Sequence, residues 1–293
     1  MIEQKCIDCS KRAIWVILGL NLGLFLFKIL FAHISHCMAL FADSFESLEN
    51  CIITLVVIVS LKIGSKKADA RFPYGYGKVE FLVAGIMNML LMATAIVYAC
   101  ISLFEIITVG PERPPGMIAV VAAVLSISVN YIAFWYGRCV GEKIASPSVL
   151  ANAQMNFVDL VTSAGIIIVV IGSNLGLSLL DHIAAIIFCI LIIKVTLRGL
   201  MKAVDGLMDA NLPLEEQDIR KLVKDAENGD RIGDIRVRFV GRTYIVDMDV
   251  FVPSDQILDR GLEKVEKIKE ILHKKRKDVS GVSVRLLANV PSN

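Results

Sequence analysis

Apolar residues fill long, nearly unbroken stretches over roughly the first two hundred positions, then give way to shorter patterned runs over roughly the last ninety. Six stretches, 13–33, 38–63, 79–108, 117–136, 149–173 and 175–200, reach the length of about 20 mostly apolar residues that a bilayer-crossing helix needs. Their connectors are short and rich in turn residues, such as Gly110-Pro111 and Pro114-Pro115-Gly116 after the third, and Gly172-Ser173-Asn174 after the fifth. The pattern predicts six transmembrane helices. Past Leu212 it changes. Residues 213–228 read as a helix opening on Pro213, with Glu215, Glu216 and Asp218 in its first turn, where the dipole favours anions. Runs 234–240 and 244–252 alternate and are β-branched, with Gly241-Arg242 between them; 257–277 is helical and 282–287 a third strand. This αββαβ order predicts an α+β, ferredoxin-like domain: an open sheet with both helices on one face. So short a sheet buries little, so dimerisation is expected.

Composition sharpens this picture. The chain is 55% hydrophobic with a mean hydropathy of +0.65, too apolar for an ordinary soluble domain. A net charge of +2 with no basic tract gives no reason to expect nucleic acid. Basic residues set the orientation. Lys5, Lys11 and Arg12, then Lys62, Lys66, Lys67, Arg71 and Lys78, then Arg138 and Lys143, then Arg198 and Lys202 all fall on one side, against Arg113 beside Glu112 on the other. Both termini are expected in the cytoplasm. The predicted organisation is a cytosolic segment 1–12, a six-helix membrane domain 13–208 and a cytosolic dimerisation domain 209–293. The first helix exceeds a signal-peptide core and lacks a small-residue cleavage site before the next polar segment. Seven cysteines, an odd number with no secreted framework, point to reduced thiols; Cys6 and Cys9 form one CxxC without a second pair.

Inside the apolar stretches, charge is costly and marks function by default. Asp43, Glu46 and Asn50 lie at i, i+3 and i+7 on the second helix, with Glu49 at the stripe's edge, and Asn152, Met155, Asn156 and Asp159 follow the same spacing on the fifth. Lipid satisfies neither stripe, so the two face inward. Crowded carboxylates in low dielectric resist ionisation, and a divalent cation would displace their protons. Metal–proton exchange follows directly; the competing reading is that the polar groups only hydrogen-bond the helices together. No nucleophile–base pair occurs among the membrane residues, so an enzyme is not expected.

Several segments resemble the cation diffusion facilitator family: Met38-Ala39-Leu40-Phe41-Ala42-Asp43-Ser44, the stretch Asp69-Ala70-Arg71-Phe72-Pro73-Tyr74-Gly75-Tyr76-Gly77-Lys78-Val79-Glu80, and Gly206-Leu207-Met208-Asp209. Cys6-Ile7-Asp8-Cys9 and Arg138-Cys139-Val140-Gly141-Glu142 with Ser146-Pro147 are similar to its magnetosome branch. The resemblance covers essentially the whole chain. It implies a homodimer, or a heterodimer with a paralogous transporter, in a prokaryotic inner membrane or an intracellular membrane derived from it. Divalent cations would leave the cytosol in exchange for protons, with iron the cargo in this branch and no resident cofactor. The family's transport slots fall on Glu46, Asn50, Met155 and Asp159, and Asp159 alone matches the usual pattern. Losing both histidines argues against zinc and toward Fe²⁺ or Mn²⁺. Asp43 is an auxiliary charge, and Met155 fits packing better than ligation. The same departures fit a degraded site in a transport-impaired scaffold that stabilises a paralogous partner.

The resemblance also implies a charge interlock between Lys78 and Asp209. At a second family metal site Phe72 and Tyr76 stand in histidine slots and only Asp69 remains, so no metal is expected there. Asp247 and Asp249 share one strand face and form a weaker C-terminal candidate, with Arg285 expected close enough to neutralise them. His273 reads as a solvated surface residue. His33 and His36 read as interfacial, as do Trp15 and Trp135.

Overall fold

The computed structural model describes residues 2–35, 38–66, 68–108, 117–174, 178–224, 232–253, 259–276 and 278–289. Six long helices come first: α1 (Ile2–Ser35), α2 (Met38–Gly64), α3 (Lys78–Thr108), α4 (Met117–Lys143), α5 (Pro147–Asn174) and α6 (Ser178–Leu207). Among the described residues four of them, α1 to α4, hold windows long and apolar enough to cross a membrane. Several helices outrun their apolar stretches. The backbone of α1 begins at Ile2 rather than at 13, α4 continues to Lys143 and α6 to Leu207. Hydrophobicity marks the part that lipid can cover, whereas a helix ends only where a breaker or turn stops it.

The contacts divide the chain into two units: Met1–Lys66 with Val79–Val204, and Lys67–Lys78 with Asp205–Asn293. The loop between α2 and α3 thus belongs to the C-terminal unit, although it interrupts the first in sequence.

In the helical unit the buried core includes Ile14, Val57, Met87, Val149, Met155 and Ile192. The outside is equally apolar: Trp15, Leu26, Val59, Leu90, Val124 and Trp135 are all exposed. Apolar groups on both sides suit a helix bundle bathed in lipid. α4 and α5 form a tight hairpin. Gly137 packs on Ala153, and a Cβ at Gly141 would stand 2.8 Å from the Leu150 side chain. Ala145, at φ 50°, makes the turn between them.

The C-terminal unit contains α7 (Pro213–Lys224), β1 (Ile232–Val240), β2 (Thr243–Pro253), α8 (Asp259–Lys275) and β3 (Val279–Asn289). The sheet order is β1-β2-β3, with β1 antiparallel to β2 and β3 parallel to it. A tight turn at Gly241, φ 67°, joins the antiparallel pair. A parallel pair needs a longer crossover, which α8 supplies. Ile219 and Val223 of α7 and Ile268 and Leu272 of α8 pack on Val237, Val246, Met248 and Val250, so one sheet face is covered. β3 starts at Val279, ahead of the predicted 282, because Val279 already pairs with Tyr244 and completes that core.

Candidate metal centre

α2 and α5 meet along a polar seam. Asp159 is 8% exposed on α5, and its Oδ2 accepts a 2.6 Å hydrogen bond from Nδ2 of Asn50 on α2. Thr54, one turn further along α2, donates to the Asn50 carbonyl at 2.8 Å and lies 3.4 Å from Oδ1 of Asn152. Asn156 donates to the Asn152 carbonyl at 2.9 Å, and its buried Oδ1 has no hydrogen-bond partner among the described residues. Met155 is buried in the same core. The predicted stripes therefore meet at Asn50 and Asp159. The side chains of Asp43 and Glu46 lie outside the described residues; their backbone continues the α2 helix. On an α-helix Glu46 falls one turn from Asn50 on the same face.

What this arrangement can do follows from its donors. A carboxylate and an amide carbonyl are hard oxygen ligands suited to divalent ions such as Mn²⁺ or Fe²⁺. As it stands, Asn50 directs its amide N–H toward Asp159, so a cation would have to turn that amide round to use its oxygen. Asn152 and Asn156 belong to the predicted stripe on α5, and Thr54 is the member that the sequence reading missed. Extending the α2 stripe by one turn, from 50 to 54, finds it.

Lys78 is 2.9 Å from Asp209 Oδ2 and donates to the Leu207 carbonyl at 3.1 Å. Arg238 joins them, 3.4 Å from the same carboxylate oxygen, and also lies over the Tyr74 ring. Asp209 sits at φ 56°, a left-handed conformation that Asp tolerates better than most residues. Gly77 and Gly241 touch backbone to backbone: a Cβ on Gly77 would stand 2.7 Å from the Gly241 nitrogen. Asp69 spends its carboxylate on the same loop, accepting from the Arg71 and Phe72 amides at 2.9 and 2.7 Å and from the Tyr76 hydroxyl at 2.6 Å. That last bond pushes the Tyr76 phenol above its usual range.

On the uncovered face of the C-terminal sheet, Arg285 grips Asp249 with two bonds of 2.8 and 2.7 Å. The pairing holds the Asp249 carboxyl below the ordinary range, since the guanidinium favours the ionised form. Asp247 lies 3.9 Å from Arg238. Arginine thus stands against both candidate carboxylates. His33 and His273 are exposed; His36 and the side chains of Cys6 and Cys9 lie outside the described residues.

Comparison with known proteins decides the family. The cation efflux transmembrane domain matches residues 14–208, and the cytoplasmic domain of cation efflux proteins matches 212–286. The chain belongs to the cation efflux family, the cation diffusion facilitators. It is 31% identical to the magnetosome protein MamB of Magnetospira sp. over 87% of each chain, and 32% identical to MamB of Magnetospirillum gryphiswaldense over 88% of each. It is also 26% identical to the manganese efflux system protein MneP of Bacillus subtilis, over 94% of this chain and 95% of that one. The cation diffusion facilitators are membrane transporters of divalent metal cations, not enzymes. The C-terminal unit of this chain is their cytoplasmic dimerisation domain.

Proposed function

We propose that this cation diffusion facilitator exports a divalent cation from the cytosol in exchange for protons, with Fe²⁺ or Mn²⁺ preferred to Zn²⁺. Asp159 and Glu46 bind the ion or the counter-proton, Asn50 supplies a neutral oxygen and Asp43 an auxiliary charge, while Met155 packs beside them. Six spans with both termini in the cytoplasm, and a ferredoxin-like C-terminal domain that pairs homo- or heterodimers, complete the reading. The observation that carries it is the 2.6 Å contact between Asn50 and the buried Asp159. An ionisable group buried between membrane helices is costly unless used, and here it faces a donor on the helix that also carries Asp43 and Glu46. The oxygen-rich donors favour the harder ions, and the similarity to a manganese efflux protein agrees.

The absence of the family's histidines favours a second reading, a scaffold that stabilises a paralogous transporter through the dimerisation domain. Purified protein in liposomes separates the two. Fe²⁺, Mn²⁺ and Zn²⁺ uptake is followed under a pH gradient for wild type, Asp159→Ala and Glu46→Ala. Uptake driven by the gradient and lost in both variants is the transporter; uptake that is absent, or indifferent to both changes, is the scaffold.

A further inference from the structure

One cation lies inside the helical unit. Lys28 belongs to the apolar window Ile14–Phe31 of α1 and is 3% exposed. It shares the buried stripe of that helix with Ile14, Ile17, Asn21 and Leu24, while Trp15, Leu22, Leu26 and Leu30 take the outer face. Among the described residues it is the one buried lysine or arginine, and it is engaged rather than free. A charge at this depth persists only against an opposite charge or polar acceptors.

Depth along four packed helices says where those groups are. α1 packs on α2 and α4, α4 on α5, and α5 on α2. The pairs Asn50–Asp159, Thr54–Asn152 and Ser60–Ser148 run in opposite directions along α2 and α5, so these two are antiparallel. A Cβ on Gly137 would stand 3.3 Å from Ile17 Cδ1 and 3.2 Å from the Ala153 Cβ, which sets Ile17, Gly137 and Ala153 at one level. Equal steps from there bring Lys28 level with Ser126 on α4 and Ala164 on α5, and the Asn50–Asp159 pair carries Ala164 across to Phe45 on α2. Equal steps from Ser35 and Met38, where α1 ends and α2 begins, also set Lys28 opposite Phe45. The two routes agree. A helical side chain leans toward the N-terminus of its own helix, here toward Gly23 and Leu24, the level of Asn50 and Asp159.

We propose that Lys28 is a resident cation of the transport seam: its ammonium neutralises the carboxylates of α2 and α5 while no metal is bound, and the incoming dication displaces it. This rests on the cation site proposed above. Of the helices packed around Lys28, α2 carries Asp43, Glu46 and Glu49, α5 carries Asp159, and α4 has no charged residue before Arg138. Carboxylates gathered without a counter-charge repel one another, and one ammonium among them lowers that cost. A dication brings twice the charge to the same oxygens. The displaced ammonium has a second seat on α4. Ser126 Oγ at its own level and Asn130 Oδ1 one turn along are buried and have no hydrogen-bond partner among the described residues. An ammonium carries only donors, so both oxygens suit it. Lys28 thereby holds the affinity of the seam down, and a cluster of carboxylates binds its cargo without trapping it.

Two measurements on the full chain test this. The first is a melting cycle, which needs no transport. Asp159→Asn deprives the ammonium of its anion and should melt about 5 °C or more below wild type. Lys28→Met in the same background should recover much of that loss. Losses that simply add overturn the inference. The second is calorimetry of Mn²⁺ binding to the purified protein. Lys28→Met should bind roughly tenfold or more tightly than wild type, because a positive charge has left the ion's surroundings. Lys28→Arg, which keeps the charge, should not. Equal affinity in wild type and Lys28→Met, or the same tightening in Lys28→Arg, overturns the inference. If none of the three binds Mn²⁺, the export reading and the displacement fall together, and the melting cycle alone shows whether Lys28 neutralises Asp159.

Discussion

A single oxygen of Asp209 stands 2.9 Å from the Lys78 ammonium and 3.4 Å from the Arg238 guanidinium, so one carboxylate ties the start of α3 to strand β1. Its backbone is left-handed, which separates two contributions. Asp209→Asn keeps the tolerance for that conformation and loses the charge, at a cost of about 1 kcal/mol or less for such half-exposed pairs. Asp209→Ala loses both, and the backbone penalty adds about 1–2 kcal/mol. Denaturation of the purified chain, followed through the C-terminal domain, should rank the three as wild type, Asn, Ala. Equal loss in both variants would show that the charge alone matters.

The Gly77–Gly241 contact admits no side chain. Gly77→Ala should cost about 1–3 kcal/mol, as overpacking does, and should free the loop ahead of it. Trypsin reports this directly through faster cleavage after Arg71, which is exposed. An unchanged digestion rate would mean that the two backbones part without consequence.

Asn50 can be tested apart from the carboxylates. Asn50→Asp places a second acidic group 2.6 Å from Asp159 Oδ2, where like charges repel. The variant should melt lower than wild type without metal and gain more from added Mn²⁺. If Mn²⁺ stabilises both proteins equally, the ion does not bind between α2 and α5.

In the C-terminal domain Tyr244 predicts an alkaline transition. Burial pushes its phenol up to about 12, helped by the Glu215 and Asp278 charges and opposed by Arg276. A folded-state value above the unfolded one of about 10 means the neutral phenol stabilises the fold. That contribution is complete below about pH 10 and is lost as pH rises toward 12. Tyr244→Phe should flatten the denaturation midpoint against pH over that window. On the acid side the signs reverse. Arg276 holds Asp278 and Arg285 holds Asp249 below the usual range, so their contributions are present above the unfolded value and fall away as pH drops.

The four helices α1 to α4, long and apolar enough to cross a membrane, were legible because lipid imposes a length and a composition, and the Asn50–Asp159 meeting because two polar stripes of helical period turn toward one another. Helix ends were not, since the polar residues before Ile14 and beyond Tyr136 continue a helix that apolar scoring stops. The Lys78–Asp209 pair came from the family resemblance, yet Arg238 looked like any outward residue of an alternating strand. Its link to Asp209, 29 positions away, exists only once the sheet and loop are folded together. The family was legible in motifs such as those at 69–80 and 206–209, and the matches over residues 14–208 and 212–286 bear it out.

The α4–α5 hairpin locks glycine against alanine and leucine, whereas α5 touches α2 through small hydroxyls and amides. Bulky interdigitated side chains must unmesh before helices can slide, but a row of short polar groups can trade partners one by one. The α2–α5 boundary is therefore the natural slip plane of the bundle. The cation site proposed above lies on that same boundary, so a shear of α2 against α5 would carry the bound ion with it.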